Sequence, residues 1–227
     1  MSRIKLAVVL FLCVVLSGSF AGAAELEIPT VDIVIDAGHG GVDSGTTYGE
    51  VAEKDINLQV AKILYHELAK SGYRVILNRV GDYALSDENQ WLNNPSRHLR
   101  DLAQRKHLAV EFSPQIMISL HTNWASNPKR RGPVVLYQKN NQGFMLADII
   151  QHALNRFYGT NKEPVSGKKY YLLKHDSCPA IIVEMGFISN AADRELMTKP
   201  ESQQQIAQAI KIGIDEYFLL TSAALNK

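Results

Sequence analysis

The sequence predicts an α/β domain with helices on both faces of a mostly parallel sheet. Three observations carry this. Short apolar runs rich in Val and Ile alternate with segments of helical period along most of the chain. No internal repeat, low-complexity tract or linker divides it. Its 227 residues are enough for one substantial core.

The first element is read as a leader. Arg3 and Lys5 precede an unbroken apolar run over residues 6–16, followed by mostly small residues to Ala24. That run is too short for a bilayer core, which needs ~20 residues, but it suits a secretory signal. Ala21-Gly22-Ala23 offers a cleavage site, so residues 1–24 are expected to be a signal peptide and 25–227 the mature domain. The chain is therefore expected to be exported, to the periplasm or to the cell wall and extracellular space, with no membrane span after processing. No twin arginine is present, which points to the general secretory route. Cys13 lies within the apolar run behind Phe11-Leu12 and is not read as a lipid attachment site. An uncleaved anchor is the alternative.

The remaining elements follow from periodicity. Residues 31–35 (Val-Asp-Ile-Val-Ile) read as a strand entering a glycine-rich loop. Residues 53–71 read as a helix with Ile56, Val60, Ile63, Leu64 and Leu68 on one face and Gly72 as its stop. Residues 73–77 form a short buried strand, 81–95 an irregular polar stretch, and 98–110 a helix through Leu99, Leu102 and Ala109. Strands are expected at 116–120 and 134–137. A helix over 144–158 carries a stripe through Leu146, Ile149, Ile150, Ala153, Leu154 and Phe157. Two more strands are expected at 170–173 and 180–183, and a closing helix over 206–217.

Charge and cysteine content narrow the function classes. Lys and Arg total 24 against 23 Asp and Glu, a balance that excludes nucleic acid as the main partner. With Cys13 in the leader, only Cys178 remains in the mature chain, so no internal disulfide forms. Beside Pro179 and a strand, Cys178 reads as an inert thiol.

In α/β sheets ligands gather at strand ends, and three strand ends carry reactive groups. The first strand enters Asp36-Ala37-Gly38-His39-Gly40-Gly41, the strand from 116 enters Ser119-Leu120-His121-Thr122-Asn123, and the last enters Val183-Glu184-Met185-Gly186-Phe187. Glu53 opens the first long helix. Two histidines and a carboxylate are a catalytic zinc set with a fourth position left open, and a further carboxylate serves as proton acceptor. Each residue alone has an ordinary reading: His39 as a turn residue, Glu53 at a helix N-terminus, His121 at a strand end, Glu184 in an ion pair.

Other motif readings fail. His66-Glu67-Leu68-Ala69-Lys70 begins like a zinc helix but ends in lysine. In Gly38-His39-Gly40-Gly41-Val42-Asp43, Asp43 replaces the third glycine of a dinucleotide loop. Gly41-Val42-Asp43-Ser44-Gly45 places its serine one position late for a nucleophile elbow. His66, His98, His107 and His152 fall in helical stretches and read as surface or satisfied groups. His175, before the last strand, is a weak substrate-contact candidate.

Together, Asp36-Ala37-Gly38-His39-Gly40-Gly41, Glu53-Lys54, Ser119-Leu120-His121-Thr122-Asn123 and Glu184-Met185-Gly186-Phe187-Ile188-Ser189-Asn190 resemble the zinc-dependent N-acetylmuramoyl-L-alanine amidases of the amidase 3 type. The resemblance covers residues 31–219 with every motif in family order. It implies a three-layer αβα sandwich with a twisted, mostly parallel six-stranded sheet. It also implies a Zn2+ ion held by His39, Glu53 and His121, with Glu184 as general base. The expected substrate is peptidoglycan, cleaved between N-acetylmuramic acid and L-alanine of the stem peptide. Asp36 is a candidate to orient a histidine ring, Asn123 a candidate substrate contact, and Arg79 and Arg105 read first as structural ion-pair residues.

Two departures from the family pattern stand out. Trp124 follows the second histidine motif where small residues are usual, so it reads either as an aromatic wall for sugar or peptide or as a packing residue. Residues 83–97 form a longer connection than is common and are expected to shape the cleft. Some relatives carry a helical plug after the second histidine. Here only 138–142 intervene before the next helix, which predicts an open site that requires no activator protein. Two competing readings are a zinc peptidase acting on the stem peptide and a non-catalytic wall-binding protein.

Overall fold

The computed structural model describes residues 30–174 and 177–225; the expected leader and His175 lie outside the described residues. The chain runs β1 (Ile33–Ala37), β2 (Thr47–Tyr48), β3 (Val51–Ala52), α1 (Glu53–Lys70), β4 (Val75–Leu77), α2 (Arg97–Phe112), β5 (Ile116–Asn123) and β6 (Val134–Tyr137). It continues through α3 (Asn141–Tyr158), β7 (Val165–Ser166), β8 (Ala180–Phe187), α4 (Ala191–Thr198) and α5 (Pro200–Leu225), with single 3-10 turns at Leu85–Asp87 and Tyr171–Leu173.

Six strands form one sheet in the order β4-β1-β5-β8-β6-β7; only the β6–β8 pair is antiparallel, and β2 and β3 form a separate hairpin. The central strands β1, β5 and β8 are apolar on both faces through most of their length because both faces are covered. Ile33, Ile35, Ile118, Leu120, Ile181 and Val183 pack beneath α1, α3 and α5. Their alternates Val34, Met117, Ala180 and Ile182 pack beneath α2 and the 171–173 turn. These two cores make the expected three layers. Each fully buried aliphatic side chain contributes roughly 1.5–3 kcal/mol.

Helices α1, α2 and α3 match their expected positions within a turn, with caps on α2 and α3 that explain the extra residues. Ser96 caps α2 by accepting from Leu99 N (3.3 Å), and Asn140 caps α3 by accepting from Gly143 N (2.6 Å). α5 begins six residues earlier than expected, at Pro200, whose fixed φ suits a first helical position. α4 lies where no element was expected; it is capped by Asn190, which accepts from Asp193 N.

One expectation is overturned. Residues 170–173 are not a strand, and the sixth strand is the two-residue β7. Leu172 and Leu173 are adjacent, yet both are buried in the second core. A strand would send neighbours to opposite faces, whereas a 3-10 turn brings both inward.

The topology fixes where a site must lie. From β1 the chain steps to β4 on one side, then crosses back to β5 on the other. The crevice outside the carboxyl ends of β1 and β5 is therefore the switch point of the sheet.

Candidate metal centre

Beyond β1 the backbone turns sharply at His39, which has φ of 61°, an uncommon region for any residue but glycine. Two buried arginines hold that turn by its carbonyl oxygens. Arg105 Nη2 donates to His39 O (2.7 Å) and Nη1 to Ala37 O (2.8 Å). Arg79 Nε also donates to Ala37 O (3.0 Å), and its Nη2 reaches Gly38 O (3.0 Å) and Lys54 O (2.8 Å). Arg105 is anchored by Asp36 (2.7 Å) and Asp101 (2.6 Å), as its ion-pair reading expects. Arg79 departs from that reading, since its donors all go to carbonyls.

The turn aims His39 Nε2 at Glu53 Oε1 (3.2 Å), while His39 Nδ1 pairs with Asp43 Oδ1 (3.1 Å). From β5, His121 Nδ1 meets the same Glu53 oxygen at 3.0 Å, and the two imidazoles stand edge to face with centroids 4.9 Å apart. His121 lies where the β5–β8 register shifts between His121 and Asn123, an irregularity of the kind that re-aims a side chain beside an active site. Glu53 is buried. Its Oε2 accepts from Thr46 N (2.8 Å) and Oγ1 (3.0 Å), and Oε1 accepts from Thr122 N (2.9 Å). Two glycines lie tight against these side chains. A Cβ on Gly38 would fall 2.5 Å from His121 Nε2, and one on Gly45 would fall 2.6 Å from Glu53 Oε2.

The electrostatics of the cluster are those of a site for positive charge. Burial opposes ionisation of Glu53, but hydrogen bonds from His121 and His39 outweigh it and hold the carboxyl well below the usual range. Burial alone would lower the His39 pKa. The bonds to Asp43 and Glu53 reverse that, raising it to about 9. Asp43 itself is held low, first by its hydrogen bond to His39.

The donor set fits a divalent ion. One nitrogen or oxygen from each of His39, Glu53 and His121 lies within 4.8 Å of the others. The two donor separations to Glu53, 3.0 and 3.2 Å, are close to the ~3.3 Å edge of a tetrahedron with ~2.05 Å metal–ligand bonds. Imidazole and carboxylate donors suit zinc.

Glu184 lies on β8 directly opposite His121 in register. It lines a cavity of about 490 Å³ with His39, Glu53 and His121. Its carboxylate engages no donor among the described residues, and burial pushes its pKa up to about 7. All four residues singled out in the sequence therefore converge.

Other sequence readings fare unevenly. Asp36 makes no hydrogen bond to a histidine ring among the described residues; it accepts from Asn78, Ser119 and Arg105, and so acts on the His39 turn through Arg105. Asn123 and Trp124 line the cleft. Residues 83–97 line neither cavity around the cluster directly, although Arg97 reaches the cavity-lining Asp43 (3.8 Å); His98 is exposed, as its surface reading expects, and also lines the smaller cavity. Cys178 is buried and its thiol is pushed up to about 12, which makes it inert. The sequence reading did not single out Asp43, which holds His39 Nδ1. Its signal is its place four residues after His39 in the glycine-rich loop.

The geometry can be set beside known proteins. The profile of the N-acetylmuramoyl-L-alanine amidase family (Amidase_3) matches residues 33–216. The chain is 32% identical over 188 residues to the germination-specific N-acetylmuramoyl-L-alanine amidase of Bacillus subtilis (strain 168), covering 82% of this chain and 79% of that one. Among solved structures it is similar to the CwlD amidase of Clostridioides difficile, determined in complex with the GerS lipoprotein. That match has 32% identity and a TM-score of 0.78, covering 84% of this chain and 99% of the other. It is also similar to the amidase AmiC2 of Nostoc punctiforme, with 28% identity and a TM-score of 0.69, covering 84% and 98%.

Proposed function

Since this chain belongs to the N-acetylmuramoyl-L-alanine amidase family, we propose that it hydrolyses the amide joining N-acetylmuramic acid to L-alanine of peptidoglycan at a zinc centre held by His39, Glu53 and His121. The observation that carries the proposal is the convergence of these donors at the sheet's switch point, with Glu184 opposite His121 and free of any partner among the described residues.

A zinc ion held by His39, Glu53 and His121 would supply Lewis acidity for the scissile carbonyl and lower the pKa of a water molecule towards ~7. The protein's own groups do the rest. Asp43 holds His39 Nδ1, so Nε2 presents its lone pair to the metal. Thr46 and Thr122 fix the Glu53 carboxylate, so that it ligates without swinging. Glu184 takes the proton from the attacking water and returns it to the departing alanine nitrogen, which leaves as an amine. A base near neutrality is matched to that exchange at neutral pH.

Export follows as part of the same proposal, because the substrate lies outside the membrane and the leader pattern at 1–24 supplies a route. No helix among the described residues is long and apolar enough to cross a membrane. The purified chain is proposed to act without an activator, supported by the short connection from β6 to α3 and by partial exposure of both histidine side chains. The lipoprotein complex of the Clostridioides difficile relative favours a second reading, in which a partner completes the active state.

Digestion of purified peptidoglycan by the mature chain, followed by mass spectrometry, tests these readings. Free stem peptides beginning with L-alanine are expected, lost on chelation and restored by zinc. Glu184→Gln is expected to reduce the rate ~10²–10⁴-fold while leaving zinc content unchanged. An intact wall despite bound zinc would favour the partner-dependent reading.

A further inference from the structure

The metal cluster sits at the junction of two cavities of different chemistry. Both are lined by His39, Asp43, His121 and Glu184. The more enclosed one, about 400 Å³, is lined by Leu102, Leu172, Ile182, Tyr170 and Tyr171 and by one exposed cation, Lys169; Arg105, the other cation on its wall, is buried and paired with Asp36 and Asp101. The more open one, about 490 Å³, adds Thr46, Thr122, Asn123 and Trp124.

Trp124 is unlike the chain's other tryptophan. Trp91 is also exposed, but its indole N–H donates to Gln104 and its ring lies 5.2 Å from that of His107. Trp124 is 53% exposed, and its indole N–H has no partner among the described residues. Its backbone is nonetheless fixed. Trp124 N donates to Asn123 Oδ1 (2.8 Å), and Ala125 N donates to Ser189 Oγ (3.1 Å). The Asn123 side-chain amide N–H groups also have no partner among the described residues. A flat apolar ring, a free indole donor and a free amide donor thus stand on one rigid strand end beside the metal ligands.

A pyranose ring offers a face of C–H groups and a rim of hydroxyl and acetamido groups, which match a flat aromatic ring bordered by polar donors. A stem peptide offers methyl side chains and free carboxylates, which match apolar walls with one exposed cation. Resting on the amidase reading, we infer that substrate lies across the metal centre in one direction, with the glycan strand on Trp124 and the stem peptide in the enclosed cavity towards Lys169. Trp124 is then a specificity residue for carbohydrate, and Lys169 one for peptide carboxylate.

The test uses the zinc-loaded mature chain and soluble muropeptides varied independently in glycan length and peptide length. Trp124→Ala is expected to raise KM about tenfold on tetrasaccharide substrates with little change in kcat, equivalent to ~1.4 kcal/mol of binding. It should also abolish the preference for tetrasaccharide over disaccharide, while Trp124→Phe retains most of it. Lys169→Ala should instead weaken the dependence on peptide length and leave that on glycan length intact. In a Trp91→Phe background, a peptide-free tetrasaccharide of alternating N-acetylglucosamine and N-acetylmuramic acid should perturb the remaining tryptophan fluorescence. The inference is overturned if Trp124→Ala alters peptide-length dependence instead, if it changes neither dependence, or if the tetrasaccharide leaves the fluorescence unmoved. Failure of the wild type to release L-alanine-terminated peptides would strike the amidase reading, while the fluorescence titration still judges the Trp124 surface.

Discussion

Replacing Gly38 by alanine should remove the metal while leaving the fold standing. The added Cβ would lie 2.5 Å from Nε2 and 2.8 Å from Nδ1 of His121, where ordinary contact begins at 3.4 Å. The imidazole must therefore retreat by up to about 1 Å, and it has a solvent-facing side to retreat into. Zinc–nitrogen bonds tolerate only ~0.2 Å, so the displaced ring no longer ligates. Loss of ligand alignment on this scale should lower zinc affinity ~100-fold, or ~2.7 kcal/mol, with hydrolysis falling in parallel. Gly38 does not occupy a left-handed conformation, so backbone strain adds little, and overpacking should cost ~1–3 kcal/mol at most. Competition with a chromogenic chelator gives the affinity, and thermal melting of the metal-free chain monitors the fold. If Gly38→Ala binds zinc within twofold of wild type, either His121 is not a ligand or its ring does not rest on Gly38.

Further outcomes follow from the same contacts. Asp43→Asn keeps a hydrogen-bonding side chain at His39 but removes its charge, so zinc affinity should fall ~10–100-fold without unfolding, measured by the same competition. In the metal-free site His39 stays protonated up to about pH 9, so zinc uptake at pH 7 should release a proton; apparent affinity should rise with pH and level off near 9, read by calorimetry in buffers of different ionisation enthalpy. A raised histidine pKa stabilises the folded metal-free chain fully below its unfolded value of ~6.5, so melting temperature should fall from there to pH 9. Arg105→Leu leaves Asp36 and Asp101 buried without their partner, so denaturant unfolding should show a loss of ~3–5 kcal/mol.

Much of this molecule was legible in its sequence because its signals are local. The strand cores at 33–35 and 180–183 are continuous apolar runs, 116–120 is broken only by Ser119, and the helices carry regular stripes. The four proposed site residues were found because strand ends in an α/β sheet are few, and reactive side chains stood at three of them. The failures share a different cause. Tyr171–Leu173 carries strand-like composition, yet the second core must cover adjacent leucines with one segment, a tertiary demand invisible in periodicity. Asp36 was a candidate to orient a histidine ring. On a strand, however, its side chain turns into the interior, where Arg105, Asn78 and Ser119 meet it.

The arginines show why a metal site of this kind needs more than its ligands. His39 reaches the cluster only from a left-handed turn, a conformation costing of order 1–3 kcal/mol that persists only when its surroundings enforce it. The enforcement comes from guanidinium groups gathering the carbonyls of three consecutive residues, Ala37, Gly38 and His39, with Ala37 O shared by both arginines. A lysine carries the same charge but not the planar fork that spans several fixed acceptors at once. Arg79→Lys should therefore preserve net charge and still weaken zinc binding, because the turn relaxes and His39 Nε2 drifts from Glu53. Arg79 has no carboxylate partner among the described residues to leave stranded, so the effect should fall on metal affinity more than on global stability, the opposite weighting from Arg105→Leu. Equal losses in both measurements would show that Arg79 supports the fold as a whole rather than the turn that presents His39.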